Sequence, residues 1–329
     1  MSSPAYGVDG QHPGPASGAS ADPSSAGLAP IDPLAPAPGG VYSDALVEVR
    51  GLQGPRPRRT LGMIRTLHFD VTRVDGRLRV VHRVPPEEFH SGLAALVGEE
   101  LFGPGWLRGA ELLERIVTGI VVSSDPDPLT AWERYYRATL TGSHRGGVGG
   151  HHDLAPVHQH ARELLTGGSV LELGSCFGFL ALSLAAEGRR LTVSDIVPGT
   201  IRLLGAVAER LDLPLDTLVA DAADVPLPAA AADTVLVLHL LEHLDEAHGA
   251  RVLTEAVRLA RRRVVVAVPL EDVPDETWGH LRTVSLADLR DLGQATGFGF
   301  DVHEHHGGWL VIDRAPMTLA WSEHPGPER

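Results

Sequence analysis

Three polar side chains stand close together directly after a predicted strand. Residues 233–238 form a buried apolar run that predicts the strand, and His239, Glu242 and His243 follow it. A positioned imidazole can accept the proton of a reacting hydroxyl group. A divalent cation could acidify the same hydroxyl.

The sequence leaves three interpretations of this group open. In the first, His243 is a general base and Glu242 holds or charges its ring. In the second, His239, Glu242 and His243 are ligands of a metal. In the third, Glu242 caps the following helix and the histidines form local hydrogen bonds. The His-x-x-Glu-His zinc motif of a protease class requires a continuous helix, which conflicts with the predicted strand.

A glycine-rich turn between a strand and a helix is the second candidate site. Residues 170–173 predict a buried strand, and residues 179–187 predict a helix. Glycine lets the backbone come close to a ligand, and the helix N-terminus offers free N–H groups. The polar and small residues of this stretch are Glu172, Gly174, Ser175, Cys176 and Gly178.

Acidic residues end the next two predicted strands. Asp195 lies 21 residues after Gly174, about the spacing at which an acid accepts hydrogen bonds from a ribose. Asp221 ends the strand after that and is placed to contact an adenine. Strands that alternate with helices predict a parallel α/β sheet. Ligands bind outside the carboxyl ends of such strands, so His239 and its neighbours should lie beside the same ligand.

Taken together, residues 150–314 resemble the class I S-adenosylmethionine-dependent methyltransferases. Glu172-x-Gly174-x-Cys176-x-Gly178 stands where that family has an acidic residue followed by Gly-x-Gly-x-Gly, with Cys176 in place of the middle glycine. The resemblance implies a Rossmann-like, mostly parallel seven-stranded sheet whose last strand is antiparallel, between strands five and six. NAD-binding proteins prefer Gly-x-Gly-x-x-Gly, and no glycine follows here at the required spacing.

The resemblance implies S-adenosylmethionine at the ends of strands one to three. Some methyltransferases of this class place an Acid-x-x-Glu-His cluster and a later His around a metal. By this resemblance His239, Glu242, His243 and His280 are candidate ligands of a divalent metal, which is not itself predicted. One carboxylate with three histidines would favour zinc, manganese or iron. The methionine part is expected beside Glu172, Gly174 and Gly178, the ribose beside Asp195 and the adenine beside Asp221. The expected cofactor-binding set also includes Ser175, Cys176 and His239. The expected catalytic residues are His243 and Glu242.

Four stretches are similar to the mycofactocin oligosaccharide methyltransferases of actinobacteria: residues 239–244, 261–269, 279–282 and 305–314. This similarity implies methyl transfer to a glucose hydroxyl of the oligosaccharide on a peptide-derived redox cofactor. A sugar hydroxyl needs more help in losing its proton than a phenol does, so the clustered His and Glu favour the sugar. The alternatives are a methyltransferase for another small molecule, such as a quinone-like phenol, and a non-catalytic binding protein that retains the fold.

Composition restricts the class of protein. The chain has 329 residues, 43% of them hydrophobic, and a net charge of −14, and all 28 basic residues are arginine. An acidic chain argues against a nucleic-acid substrate. The lone Cys176 cannot form an internal disulfide, which fits a reduced cytoplasmic location. The chain has no apolar run of about 18 residues that would predict a membrane-spanning helix. The expected partner is a small glycosylated substrate, and the oligomeric state is left open.

The sequence predicts four segments: a disordered tail at 1–40, an N-terminal accessory domain or extension at 41–150, the S-adenosylmethionine-binding methyltransferase domain at 151–314 and a C-terminal tail at 315–329. The tail at 1–40 is rich in Pro, Gly, Ala and Ser and has no arginine or lysine. Asp75-Gly76 predicts a hairpin, interpreted as an exposed two-stranded ribbon. The loop at 142–152 is a candidate lid by the same resemblance, or else a solvated hinge.

Overall fold

The computed structural model describes residues 29–142 and 154–314. Contacts group residues 31–329 into one unit and residues 1–30 into another, and the elements below belong to the former. The predicted lid, beyond residue 142, and the predicted tail at 315–329 lie outside the described residues. Within the described ranges, no helix combines the length and the apolar character that crossing a bilayer requires.

A five-stranded sheet forms the first part of this unit. Its order is β1-β2-β5-β4-β3. β2 pairs with β5 in parallel, and the other pairs are antiparallel. The strands are β1 (Val41–Ser43), β2 (Val47–Gly51), β3 (Ile64–Arg65), β4 (Phe69–Val74) and β5 (Arg77–His82).

Three helices follow this sheet. A 3-10 turn at Pro86–Glu88 precedes them, and the first helix continues into a π-helical turn at Gly98–Phe102. The helices are α1 (Leu93–Val97), α2 (Ala110–Val122) and α3 (Pro128–Gly142).

The predicted hairpin is confirmed, and its predicted exposure is wrong. Asp75 and Gly76 adopt φ angles of 48° and 82°, as a two-residue turn of this kind requires. β5 pairs with β2 as well as with β4, so it is an inner strand, and its Leu78, Val80 and His82 are buried. The reason is that Leu78, Val80 and His82 are alternate residues of β5, so all three side chains lie on the face that the core covers.

The second sheet has seven strands in the order β11-β12-β10-β9-β6-β7-β8. β12 is antiparallel to both β10 and β11 and lies between them, while the pairs from β10 to β8 are parallel. This confirms the predicted sheet and the predicted position of its last strand. The strands are β6 (Ser169–Leu173), β7 (Arg190–Asp195), β8 (Leu215–Val219), β9 (Ala232–Leu238), β10 (Ala260–Val268), β11 (Gly299–Glu304) and β12 (Gly308–Asp313).

Five helices connect and flank these strands. Two of them have side-chain caps: Asp245 accepts the backbone N–H of His248, and Ser285 forms a capping box with Asp288. The helices are α4 (Ala155–Leu164), α5 (Phe179–Ala186), α6 (Pro198–Arg210), α7 (Glu246–Leu259) and α8 (Leu286–Thr296). Trp309 on β12 is buried and belongs to the core.

Residues just before the first sheet are packed, so the tail boundary predicted after residue 40 is wrong. The indole N–H of Trp132 on α3 donates to the carbonyl oxygen of Pro33 at 2.7 Å. Ala37 is 2% exposed, and Pro38–Gly40 forms a 3-10 turn. The composition of residues 1–40 could not predict the contact with α3, because Trp132 lies about a hundred residues after Pro33 in sequence. Residues 1–28 lie outside the described part.

Candidate active site

The carboxyl ends of β6, β7 and β9 meet at one edge of the seven-stranded sheet. The turn after β6 has two glycines in the left-handed region, Gly174 at φ 68° and Gly178 at φ 63°. A methyl group built at Gly174 would lie 2.8 Å from Leu240 Cδ1, and one at Gly178 would lie 2.5 Å from Leu204 Cδ2. Both positions therefore require glycine, for backbone conformation and for space.

Asp195 holds this turn from the neighbouring strand. One carboxylate oxygen accepts the backbone N–H of Cys176 at 2.9 Å, and the other accepts that of Val197 at 2.9 Å. Cys176, where the family has glycine, still adopts a φ of 48°. The hydrogen bond to Asp195 helps to hold this uncommon conformation of a non-glycine residue.

Two buried polar groups beneath the turn have unused hydrogen-bonding atoms. Glu172 is 7% exposed, and neither its Oε2 nor the hydroxyl oxygen of Ser175 has a partner among the described residues. Burial, and secondly the charge of Asp195, raise the pKa of Glu172 to about 8. Buried polar atoms normally have partners, so this pocket fits a ligand with hydrogen-bond donors or a positive charge, as S-adenosylmethionine has.

Asp221 lies two residues beyond β8 and is partly engaged. Its Oδ1 accepts the backbone N–H of Ala223 at 2.9 Å and lies 2.8 Å from Nε2 of His248. Burial would raise the pKa of Asp221, but these two contacts outweigh it and hold the pKa below its usual value. The sequence did not indicate His248, because it lies on α7, a different element.

The predicted His and Glu group lies beside the glycine turn. His239 follows β9 with a φ of 50°, and Leu241–His243 form a 3-10 turn. Leu240 packs against Gly174, so this turn and the glycine turn are neighbours. His239 Nδ1 is 3.5 Å from Glu242 Oε1.

Glu242, His243 and His280 form a compact group that we call the Glu–His–His cluster. One ligand atom from each lies within 4.8 Å of the others. His243 Nδ1 is 3.2 Å from the carbonyl oxygen of Gly279, and His280 Nδ1 is 2.8 Å from Glu271 Oε2. Both rings are therefore oriented through Nδ1, the arrangement typical of histidine ligands with outer partners. His239 is not a member of this group, although it was one of the four candidate ligands.

Burial disfavours charge throughout the Glu–His–His cluster. Glu242 is 1% exposed, and neither carboxylate oxygen has a hydrogen-bond partner in residues 29–142 and 154–314. Burial raises the pKa of Glu242 to about 8, with Glu271 adding to the shift. Burial lowers the pKa of His239 to about 4 and also lowers that of His243. Two imidazoles and one orphaned carboxylate fit a divalent cation.

The N-terminal helices also border this edge of the sheet. The Tyr136 hydroxyl on α3 donates to the carbonyl oxygen of Phe177 at 2.7 Å, and Trp132 stacks on the Phe177 ring at 5.7 Å. A methyl group built at Gly279 would lie 3.1 Å from Ala110 Cβ on α2. Sequence reasoning found no legible chemistry in residues 41–150. The signal that it could have used is the aromatic face of α3.

Residues 171–268 match a protein family that is described as a methyltransferase domain. A probable S-adenosylmethionine-dependent methyltransferase of Mycolicibacterium smegmatis is 27% identical over 192 residues, which cover 51% of this chain and 72% of that protein.

Similar solved structures include a methyltransferase from Aquifex aeolicus at 17% identity, which covers 47% of this chain and 86% of that one with a TM-score of 0.40. Another, from Methanosarcina mazei, is 16% identical and covers 48% of this chain and 97% of that one with a TM-score of 0.42. The domain match spans β6 to β10, and the curated relative is named for the same activity. Residues 171–268 are therefore an S-adenosylmethionine-dependent methyltransferase domain with the class I fold.

Proposed function

We propose that the protein transfers the methyl group of S-adenosylmethionine to a hydroxyl oxygen of a sugar. The observation that carries this proposal is the Glu–His–His cluster, which lies beside the glycine turn through the contact of Leu240 with Gly174. An acceptor in line with the methyl group must lie at this edge of the sheet, outside the strand ends. The acceptor's hydroxyl would then face the cluster.

The chemistry of a hydroxyl explains why such a cluster is useful. The sulfonium leaving group is already activated, so orientation of the acceptor accounts for much of the rate. The remaining difficulty is the hydroxyl proton, which a sugar gives up less readily than a phenol does. A cluster specialised for this proton therefore favours a sugar over a phenol.

The proposed acceptor is a glucose unit of the mycofactocin oligosaccharide. This choice is supported by the similarity of residues 239–244 and 279–282 to the methyltransferases of that oligosaccharide. The same two stretches supply all three members of the Glu–His–His cluster. A cytoplasmic location belongs to the same proposal, because the lone cysteine fits a reducing compartment.

We further infer that the cluster holds a divalent cation. The Nδ1 atoms of both histidines have partners, which leaves Nε2 of each ring available as a ligand atom, and neither oxygen of buried Glu242 has a hydrogen-bond partner among the described residues. When bound, a cation would acidify a coordinated hydroxyl. Glu271 would orient His280, and the Gly279 carbonyl would orient His243. The competing form, with His243 as general base, uses the same residues without the cation.

The test is methyl transfer to matched acceptors followed by mass spectrometry. The purified protein would be incubated with S-adenosylmethionine and a glucose oligosaccharide, a mycofactocin-type glycoside or a catechol. One added methyl group on the glycoside, with little on the catechol, is the expected result. Transfer to the catechol alone would contradict the sugar acceptor. Cofactor binding without transfer to any acceptor would support the non-catalytic alternative.

A further inference from the structure

Asp221 lies next to Asp195 at the edge of the sheet where the cofactor binds. The backbone N–H of Ala220 donates to the carbonyl oxygen of Asp195 at 3.1 Å, and Val219 on β8 is the strand partner of Asp195 on β7. Asp221 directly follows Ala220, so these contacts fix its place. Two apolar side chains are exposed here, Ile196 at 63% and Val219 at 46%. An acid beside exposed apolar groups fits a flat ring that carries a hydrogen-bond donor.

Two hydrogen bonds fix the Asp221 carboxylate through one of its oxygens. Oδ1 accepts the backbone N–H of Ala223 at 2.9 Å and lies 2.8 Å from Nε2 of His248. A carboxylate only accepts hydrogen bonds, so His248 donates the N–H of its Nε2. The second oxygen, Oδ2, forms no hydrogen bond with the described residues. With the Asp221 side chain 40% exposed, this oxygen is open to a ligand.

His248 is itself held by the helix that carries it. It lies in the first turn of α7, where its backbone N–H donates to the capping side chain of Asp245 at 2.7 Å. Its side chain is 18% exposed, so the ring has little freedom to leave the carboxylate. Without His248, the Asp221 carboxylate would keep only the N–H of Ala223 and could turn toward water.

We propose that His248 is a positioning residue for the cofactor, which holds Asp221 so that its Oδ2 accepts the amino group of the adenine ring. A hydrogen-bond acceptor that is fixed before binding costs less entropy to use. A purine with a carbonyl oxygen in place of the amino group would face Asp221 with a second acceptor. The pair of His248 and Asp221 therefore distinguishes adenine from hypoxanthine.

The experiment measures binding of two ligands by calorimetric titration, without any acceptor. They are S-adenosylhomocysteine and S-inosylhomocysteine, which has hypoxanthine in place of adenine. His248→Leu keeps an apolar side chain and removes the donor, and His248→Gln keeps an N–H donor. His248→Ala replaces the leucine variant if that variant does not fold.

His303→Ala is the matched control. His303 Nδ1 is 2.7 Å from Asp301 Oδ2, so it forms a similar pair of histidine and aspartate. That pair lies on β11, at the opposite edge of the seven-stranded sheet from β8. Loss of this pair should leave binding of both ligands unchanged.

His248→Leu should weaken binding of S-adenosylhomocysteine by about five- to tenfold and change binding of S-inosylhomocysteine little. His248→Gln should bind both ligands nearly as the wild type does. In a protein that already carries Asp221→Ala, His248→Leu should have no further effect, because the two residues act as one unit.

Equal weakening of both ligands by His248→Leu would overturn the proposal, since a purely structural role acts on both. Unchanged binding would also overturn it, as would a loss of the same size in His248→Gln or His303→Ala. Additive losses from His248→Leu and Asp221→Ala would show that His248 does not act through Asp221. No outcome depends on the acceptor, so the proposed sugar specificity is tested separately.

Discussion

Glu242 is the residue at which the two forms of the proposed mechanism differ. If His243 were a base held by Glu242, a hydrogen bond between the two side chains would be expected. Instead, His243 Nδ1 is 3.2 Å from the carbonyl oxygen of Gly279, and neither oxygen of Glu242 forms a hydrogen bond in the part of the chain described. A cation would give this buried carboxylate its missing partner. The contacts therefore favour the form with a cation.

The first prediction is that methyl transfer depends on a divalent cation held by the cluster. Glu242→Gln, His243→Ala and His280→Ala should each lower kcat by about 10²–10⁴-fold, with the affinity for S-adenosylmethionine nearly unchanged. A chelator should abolish activity, and added Mn²⁺ or Zn²⁺ should restore it. Steady-state rates with and without chelator measure this.

His239→Ala is the matched control for the first prediction, because His239 lies beside Glu242 but outside the cluster. It should lower kcat much less than His280→Ala does. If the chelator has no effect and His243→Ala alone is damaging, His243 is the base and no cation is needed. If none of these variants slows transfer, both forms are wrong.

Sequence spacing located part of this site, for a physical reason. His239, Glu242 and His243 are neighbours in the chain and follow a recognisable strand, so their position at the sheet edge could be predicted. Glu271, which orients His280, and Gly279, which orients His243, could not be predicted as partners. Those contacts depend on how the segment after β10 folds back onto the turn after β9, and that packing leaves no periodic pattern.

At the scale of elements, Gly178 shows how crowding and backbone conformation together shape the glycine turn. Gly178 has a φ of 63°, and a methyl group there would lie 2.5 Å from Leu204 Cδ2. Gly188, at the end of the same helix, has a φ of 83° and nothing within 4 Å of such a methyl group. Both glycines have a positive φ but only Gly178 is crowded, so a comparison of the two separates the effect of backbone strain from that of crowding.

The second prediction compares alanine substitutions at these two glycines. Gly188→Ala should lower the free energy of unfolding by roughly 1–2 kcal/mol from backbone strain. Gly178→Ala adds crowding of about 1–3 kcal/mol and should also weaken cofactor binding. Urea unfolding and calorimetric titration measure the two effects. Equal losses of stability, with cofactor binding intact in both, would show that Leu204 yields and that the turn tolerates a side chain.

Elements with a strong local pattern were predicted best. The strands and helices around the glycine turn match because each has its own apolar run and a glycine or proline boundary. The five-stranded sheet was predicted only as a hairpin. Its β2–β5 pair is parallel and joins Val47 to Leu78. The sequence of neither strand alone predicts a pairing between residues so far apart in the chain.

At the scale of the molecule, segments far apart in sequence stabilise one another. Trp132 bonds to Pro33 and stacks on Phe177 of the glycine turn. Arg202 on α6 pairs with Asp32 at 3.1 Å. The segment at 31–40 is thus tied to α3 and α6 and, through α3, to the cofactor turn.

The third prediction concerns truncation at the N-terminus. Deletion of residues 1–28 should leave the melting temperature unchanged, because their composition supports no core. Deletion of residues 1–40 should lower it by several degrees, since a buried indole N–H loses its acceptor at a cost of roughly 1–3 kcal/mol. Differential scanning calorimetry of the two truncated proteins decides the matter. A similar melting temperature for both would mean that the contacts of Pro33 and Ala37 add little.

The fourth prediction links overall stability to pH through Glu172. Its pKa rises from 4.5 to about 8 on folding because of burial and, secondly, Asp195. The folded state then binds more protons than the unfolded state between these values. The free energy of unfolding should therefore fall as pH rises through this window, by up to about 1.4 kcal/mol per pH unit.

The matched variant is Glu172→Gln, whose side chain cannot ionise. Its free energy of unfolding should lack this part of the decline and should exceed that of the wild type toward pH 8. Urea unfolding without cofactor measures both curves, and S-adenosylmethionine should flatten that of the wild type. Parallel curves for the two proteins would show that Glu172 is already ionised at neutral pH.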